Sequence, residues 1–565
     1  MSRTEAPARA RHGGPEPGGS GAAHRRGRPA PPAWLPRWLA WAAVCTVAGA
    51  VLFLCYLQVS RTQPAPADGA SNALEAWDML HGNVLLHGWT LTDVSFYTTE
   101  LPEYTLVEAV RGLRPDVVHV AAALTYTLLV LLAGLLARGR ATGREGVIRF
   151  LAASGIMLAP QLGPGVDVVL LSPDHIGTGV PLLLTFLVLD RAPRRWYLPP
   201  VIGLMLAWVL IADQIALIDA VLSLVAVCAG RACYAVVRHR RWRWFELSLA
   251  AAAISAVAVA SLTLRLISGL GGFSLRPVIT SVAPLAWIPS HLRLTARGLL
   301  ALFGADFSGL HPGAQAFFAA VHLAGVAAVV SGLGLAVWRF RRADLVSQVL
   351  TVAIAVSLAA YVLSVIPSTF YDTREIGDVL PFGAVLAARM LGGRILASRA
   401  GGTRGARSRA GRIGAVSALG ALGVCYAAAL GYGAARPPVP AVDQDLAGWL
   451  AAHHLVTGLS MYTWSNITTL DSGGRVQLRT VSWGPRSAAP RAYQSQASWY
   501  DPRLHYASYV MTTTAGGPRS SIPPGDVVAD FGKPARIYHF RDYTIMIWHK
   551  NLLAGLGPPR TAPFG

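Results

Sequence analysis

Asp68, Asp174 and Arg374 are the residues of this chain from which chemistry could start. Charged groups at or just outside membrane depth are costly to keep and default to functional hypotheses. Eight acids, Asp68, Glu75, Asp78, Asp93, Glu100, Glu103, Glu108 and Asp116, crowd one segment between two apolar runs. A carboxylate in such a place can take the proton of an attacking hydroxyl. Asp68 precedes a helix pattern, where a base or a simple N-cap would equally stand. Ser172-Pro173-Asp174-His175 opens a later apolar run, and Asp174 carries the same two readings, while a lone histidine such as His175 is more often structural than a ligand. Arg374, at the end of a late apolar run, could clamp a phosphate or pair with Asp372 or Asp378.

The elements that must position these residues lie in a membrane. The chain has 565 residues, 53% hydrophobic and 14% charged, with mean hydropathy +0.44, against roughly 25% charged in a soluble fold. Of 49 basic residues only Lys533 and Lys550 are lysines. Neither sits in a phosphate-binding Gly-Lys-Ser/Thr loop, since Pro534 follows Lys533, so ATP hydrolysis is excluded. The net charge of +20 falls between apolar runs rather than on one basic face, so no nucleic-acid partner is expected. The five cysteines offer no disulfide framework and no zinc pair.

Residues 1–33, rich in Arg, Gly, Pro and Ala, cannot bury a core and are expected to be a disordered cytoplasmic N-terminus. Runs of spanning length follow near 38–59, 117–137, 147–163, 176–190, 197–212, 214–237, 245–267, 313–338, 345–366, 376–397 and 411–433, about eleven in all, with 284–304 a re-entrant or interfacial candidate. Placing alternate loops in the cytoplasm collects 29 basic residues there, against about eight outside. The N-terminus is then cytoplasmic and the C-terminus external. The transmembrane part runs 34–435, with a first outer loop at 59–116. Leu74, Trp77 and Leu80 give that loop a helix suited to the membrane surface. The external tail, 436–565, opens on Arg436-Pro437-Pro438, continues into a helix pattern around Leu446–Leu450, and then shows strand alternation at Arg475–Val481 and Tyr543–Trp548. A small α/β or β-rich domain is expected there, accessory to the site rather than its source, because its acids show no catalytic spacing.

Together these segments resemble the membrane glycosyltransferases of the GT-C class, including the bacterial aminoarabinose transferases and protein O-mannosyltransferases. In that class the first outer loop opens with an acidic residue, usually Asp-Glu, and a surface helix ends in Glu/Asp-Met-Leu before Gly-Asn/Asp. Here Asp68 precedes Asp78-Met79-Leu80 by ten residues, Gly82-Asn83 follows, and Gly69 replaces the second acid. Phe96–Tyr104 looks like the class's Lys-Pro-Pro element without its lysine. Arg374 and Pro381 keep the spacing of its Arg-Tyr-x-x-Pro-x-x-Pro element, with Glu375 in place of the tyrosine.

The resemblance implies a GT-C-like α-helical polytopic membrane protein with a small C-terminal extracytoplasmic α/β domain. It implies an inverting transferase that uses a polyprenyl-phosphate sugar on the outer face and a cell-envelope glycan, lipid or protein as acceptor. Asp68 is then the base, with Asp78 or Asp174 as alternatives. Glu100, Tyr97 and His175 would contact substrate, and Arg374 the donor phosphate; no cofactor or metal is called for. The rival is a non-enzymatic transporter or scaffold for lipid-linked glycans or cell-wall polymer, which should place ionisable residues at mid-membrane on several helices. Asp213 and Asp219 lie near expected span ends instead. Gly269–Gly272 reads as loop, His453-His454 as packing, and Asn466-Ile467-Thr468 as a sequon of little weight.

Overall fold

The computed structural model describes residues 37–276, 281–397, 406–441, 443–483, 488–513 and 522–559; the segment 1–33 lies outside them. The chain divides into two compact units, Met1–Val47 and Ala48–Gly565. Of the first, only the opening turns of α1 (Arg37–Ser60) are described. Then come α2 (Ala67–Leu80), the short strand β1 (Trp89–Thr90), α3 (Glu100–Arg111), α4 (Asp116–Arg138), α5 (Gly143–Ile156), α6 (Pro164–Val169), α7 (Gly179–Arg191) and α8 (Leu198–Ala212). A π-helical turn at Leu217–Leu222 leads into α9 (Ser223–His239), followed by α10 (Trp244–Gly269), α11 (Ile288–Leu302), α12 (Ala314–Trp338), α13 (Leu345–Leu363), α14 (Val379–Ala397) and α15 (Ala406–Ala434).

All eleven runs expected to span fall on helices. Six of the described helical segments are long and apolar enough to cross a membrane: Ala42–Ser60, Asp116–Arg138, Leu217–His239, Trp244–Gly269, Ala314–Trp338 and Leu345–Leu363. A seventh arises if Phe370–Ile376 and Val379–Gly393, bent by 51° at their break, make one span. Several of the others are shorter, as in α5, α7 and α8 with 14, 13 and 15 residues, so among the described residues length and composition support six or seven spans. α4 shows why such a segment is a helix. A run rich in Val, Ala and Leu carries Asp116 in its first turn and Arg138 in its last, matching the helix dipole, and Gly139 ends it at φ +52°.

Arg389 of α14 is almost fully buried. It ties four helices by pairing with Asp190 at 3.0 Å and Asp344 at 2.9 Å while donating to the Leu136 carbonyl. Asp344 meanwhile caps α13 through the Ser347 amide.

The tail folds as α16 (Gln444–Ala452), β2 (Thr457–Ser460), α17 (Tyr462–Asp471), β3 (Gln477–Ser482), β4 (Ala489–Pro490), β5 (Ser495–Gln496), β6 (Tyr509–Thr513), α18 (Pro524–Phe531), β7 (Arg536–Phe540) and β8 (Tyr543–Ile547). Its six-stranded sheet has the order β4-β3-β2-β6-β8-β7, with β2 parallel to β3 and β6 and the other pairs antiparallel. All four residues of β2 are buried, as expected of a central parallel strand covered on both faces.

The tail is joined to the first loop. β1 pairs antiparallel with β5, and Ile467 and Leu470 of α17 share a core with Ala70, Ala73 and Leu74 of α2. This corrects the expectation of a surface helix, because Gly69–Ala76 are all buried between partners and only the end of α2, such as Leu80, is exposed.

Candidate active site

The N-terminal turns of α2 supply one wall of the site. Asp68 lies in the first turn behind the N-cap Pro66, so it does not cap the helix. Asn72 and Glu75, four and seven residues on, share its face. The next residue, Gly69, is fixed by packing: a Cβ there would stand 2.7 Å from Val118 Cγ1 and 3.2 Å from Ser172 Cβ. That close approach of α2 to α4 leaves no room for the second acid of the GT-C pattern.

Arg374, in the short helix Phe370–Ile376, crosses to this wall. Its Nη1 is 2.7 Å from Asp68 Oδ2 and 3.4 Å from Asp174 Oδ2, and Tyr371 lies under its guanidinium at 4.3 Å. Neither expected alternative partner is used. Asp372 accepts from the Ser368 and Thr369 amides, and Asp378 is buried elsewhere. Asp174 also accepts from Asn72 Nδ2 at 3.0 Å and from the Ser172 hydroxyl at 2.6 Å. It precedes a single helical turn without capping it by its side chain. His175, next in sequence, bonds to Asp213 at 3.0 Å and to Glu375 at 3.2 Å. The same two segments are thus cross-linked twice, Asp174 to Arg374 and His175 to Glu375, so His175 braces the scaffold.

The third wall comes from the tail. The Tyr462 hydroxyl donates to Asp68 Oδ1 at 2.5 Å and also contacts Gln494 Oε1. The Arg491 guanidinium lies 4.1 Å from the Tyr462 ring and 4.6 Å from Tyr493. Nothing in the sequence links Tyr462 to Asp68, whereas Asn72 and Glu75 are legible from helical spacing.

Electrostatics separate the two aspartates. Burial alone would raise Asp68, but the charge of Arg374 and the hydrogen bond from Tyr462 outweigh it and hold the carboxyl below its ordinary value. Asp174 is pushed up, by burial first and by the charge of Asp68, despite Arg374. Glu75 is raised further by burial and by Asp174. The arrangement keeps Asp68 ionised at neutral pH and able to accept a proton.

The remaining expected site residues are dispersed. Asp78 sits at the far end of α2, ten residues or roughly 15 Å along the helix from Asp68, where its Oδ2 accepts from Asn83 Nδ2 and Trp89 Nε1, both at 2.7 Å. Tyr97 packs on Phe273 and donates to the Val84 carbonyl at 3.1 Å. Asp213, expected near a span end, is buried, as is Asp219, which accepts from Ser357. His453 stacks on Trp449 at 3.9 Å, and Asn466 and Thr468 are buried inside α17.

Glu100 lines a cavity of about 720 Å³ between α3, α4, α7 and α8, walled by apolar groups such as Leu106, Val110, Leu124, Leu128, Leu184 and Trp208. Burial pushes Glu100 up to about 8 and Glu103, bonded to Thr125, up to about 7. Gly177, also on the wall, lies three residues beyond Asp174. Among the described residues no group of three or more His, Cys, Asp or Glu side chains is arranged to hold a metal ion.

No family model and no curated protein matches the chain. Among solved structures it is similar to ArnT from Cupriavidus metallidurans, whose crystal structure was determined bound to undecaprenyl phosphate. The TM-score is 0.52 at 13% identity, over 92% of this chain and 99% of that one. The likeness is one of fold, along nearly the whole length of both chains, and at that level the GT-C-like resemblance holds.

Proposed function

We propose that the chain is an inverting glycosyltransferase of the cytoplasmic membrane that moves a sugar from a polyprenyl-phosphate donor to a cell-envelope acceptor on the outer face. The observation that carries this reading is one ionised carboxylate, Asp68, fixed by Arg374 in a polar cluster with Asp174, three residues before Gly177 on the wall of an apolar cavity. A donor with a charged head and an isoprenoid tail needs that combination of surfaces. The fold supports it, because a protein of the same fold holds undecaprenyl phosphate.

Asp68 accepts the proton of the acceptor hydroxyl as its oxygen bonds to the anomeric carbon. The bond from that carbon to the phosphate oxygen breaks on the opposite side, and its electron pair departs with the polyprenyl phosphate. Arg374 holds Asp68 and Asp174 in place and supplies positive charge beside the departing phosphate. Asn72 and Asp174 offer hydrogen bonds to sugar hydroxyls, and the cavity past Glu100 takes the lipid tail.

Purified protein in nanodiscs, given a panel of polyprenyl-phosphate pentoses and hexoses with envelope extracts as acceptor, is expected to release polyprenyl phosphate from at least one. Asp68→Asn should lower that release by about 10²–10⁴-fold while binding undecaprenyl phosphate as the parent does. Unimpaired transfer by Asp68→Asn, or a parent that neither binds undecaprenyl phosphate nor uses any donor, would defeat the reading.

A further inference from the structure

Both oxygens of Asp68 are engaged in the structure: Oδ2 by Arg374 at 2.7 Å and Oδ1 by the Tyr462 hydroxyl at 2.5 Å. A hydroxyl that is to lose its proton to Asp68 must first hydrogen-bond to one of those oxygens; each can accept a second bond, but an oxygen is the more basic once its existing partner gives way. Arg374 is poorly placed to do so. It is held by Asp174 at 3.4 Å and by the Tyr371 ring at 4.3 Å, and its withdrawal would strand two carboxylates. Tyr462 has somewhere to go. Gln494 Oε1 already touches its hydroxyl, and Ser71 Oγ lies 3.4 Å away, so its proton keeps an acceptor when Asp68 is released.

Tyr462 is also well anchored for such a role. It opens α17, its side chain is buried, and Arg491 packs over its ring. Four residues on, Asn466 Nδ2 donates to Ser71 Oγ at 2.8 Å, one turn from Asp68 on α2. The C-terminal domain is therefore pinned to the helix that carries the base.

We propose that Tyr462 is a positioning residue for Asp68 supplied by the C-terminal domain: its hydroxyl occupies the oxygen that the acceptor hydroxyl needs and turns to Gln494 when the acceptor arrives. The proposal rests on the reading of Asp68 as the base. It gives the domain a place in the site instead of an accessory one.

The groups that face Asp68 are Arg374 and Tyr371 from the helix at 370–376, Asp174 from the loop before α7, and Tyr462, Arg491 and Tyr493 from the C-terminal domain. Among them Tyr462 donates a hydrogen bond to the ionised carboxylate, so its loss must raise the proton affinity of Asp68.

Full-length protein in nanodiscs, titrated while carboxyl bands are followed by infrared difference spectroscopy, tests this without a substrate. The Asp68 band is the one missing in Asp68→Asn. In Tyr462→Phe its midpoint should rise by roughly half to one pH unit, and an unmoved midpoint would overturn the Tyr462 proposal alone. With a donor that the parent uses, the acid limb of the rate profile should move up in parallel. A band that moves while the limb stays would overturn the handover together with the assignment of Asp68 as base. Gln494→Leu gives a second arm should Tyr462→Phe not fold. Deprived of its nearer alternative acceptor, with only Ser71 Oγ at 3.4 Å left, Tyr462 stays longer on Asp68, and KM for the acceptor should rise several-fold with kcat little changed; an unchanged KM would count against the handover.

Discussion

Replacing Arg374 by glutamine asks how much of the site's integrity hangs on one cation. The Arg374 and Asp68 side chains are each 22% exposed and that of Asp174 only 4%, so the substitution leaves two carboxylates facing one another with little water between them. Breaking a buried pair by removing one partner costs roughly 3–5 kcal/mol, and the partial exposure of two members puts the loss near the lower end, about 3 kcal/mol. Arg541 and Asp445 provide the control. Their contact is as short, 2.6 Å, but the side chains are 63% and 64% exposed, and such a pair is worth about 0–1 kcal/mol. The loss should also depend on pH. Asp68, held below its ordinary value by Arg374 and Tyr462, contributes stability that is complete above the ordinary carboxylate range and lost as pH falls through its folded value. Without the cation one carboxylate takes up a proton more readily, Asp174 first because burial and Asp68 already push it up, and the repulsion is relieved. The deficit of Arg374→Gln should therefore be greatest near neutrality and small by about pH 4. Apparent Tm in one detergent, from pH 4 to 8, measures it for Arg374→Gln and Arg541→Gln side by side. Equal shifts in the two variants, or a deficit for Arg374→Gln that is the same at pH 4 and pH 8, would refute the reasoning.

Two further expectations concern neighbouring positions. Burial pushes Glu108 up to about 9; the folded state then binds a proton that the unfolded state has lost, so Glu108 drains stability as pH rises from about 4.5 to about 9. Glu108→Gln should remove that slope and be the more stable protein at pH 8–9 in a thermal scan, and a parallel pair of pH curves would contradict it. Gly69→Glu, which restores the second acid of the GT-C pattern, should not gain activity. With its Cβ 2.7 Å from Val118 Cγ1, overpacking of this kind costs about 1–3 kcal/mol, and a variant as stable as the parent would show that α2 and α4 can part.

What the sequence disclosed and what it withheld follow from the range of the interactions. Apolar runs are local, so each expected span lies on a helix, yet a run near 147–163 or 197–212 does not announce that its helix will be only 14 or 15 residues long. Asp68, Asp174 and Arg374 were legible as separate residues because each sits at the mouth of an apolar run, and the structure joins them into one ion-paired cluster. Glu100, Tyr97 and Asp78 stood in the same acid-rich loop, but its turns disperse them, Asp78 to the Trp89 indole and Tyr97 to Phe273. Asn72 and Glu75 could have been found by carrying Asp68 around its helix by four and seven residues. Tyr462 and Gln494 could not, since no periodicity connects a tail residue to a helix near the other end of the chain. Leu74 of α2 misled for a related reason: an apolar stripe reports that something covers a helix, and over its first turns the cover is protein, α3, α17 and α4, while Leu80 at the helix end stays exposed.

The hydrogen bond from Tyr462 to Asp68 spans 394 residues, and that separation sets a clock on the chain's birth. A ribosome adding about 5–20 residues per second completes Tyr462 roughly 20–80 s after Asp68, long after the helices between them have been made. Throughout that interval the nascent chain can already bring Asp68, Asp174 and, late on, Arg374 together, but the carboxylate has no tyrosine over it and α2 has α3 and α4 beside it without α17. The cluster around Asp68 is complete only when α17 docks. A ribosome that stalls before codon 462 leaves a membrane-inserted product whose Asp68 lacks its tyrosine and whose α2 lacks the cover of α17.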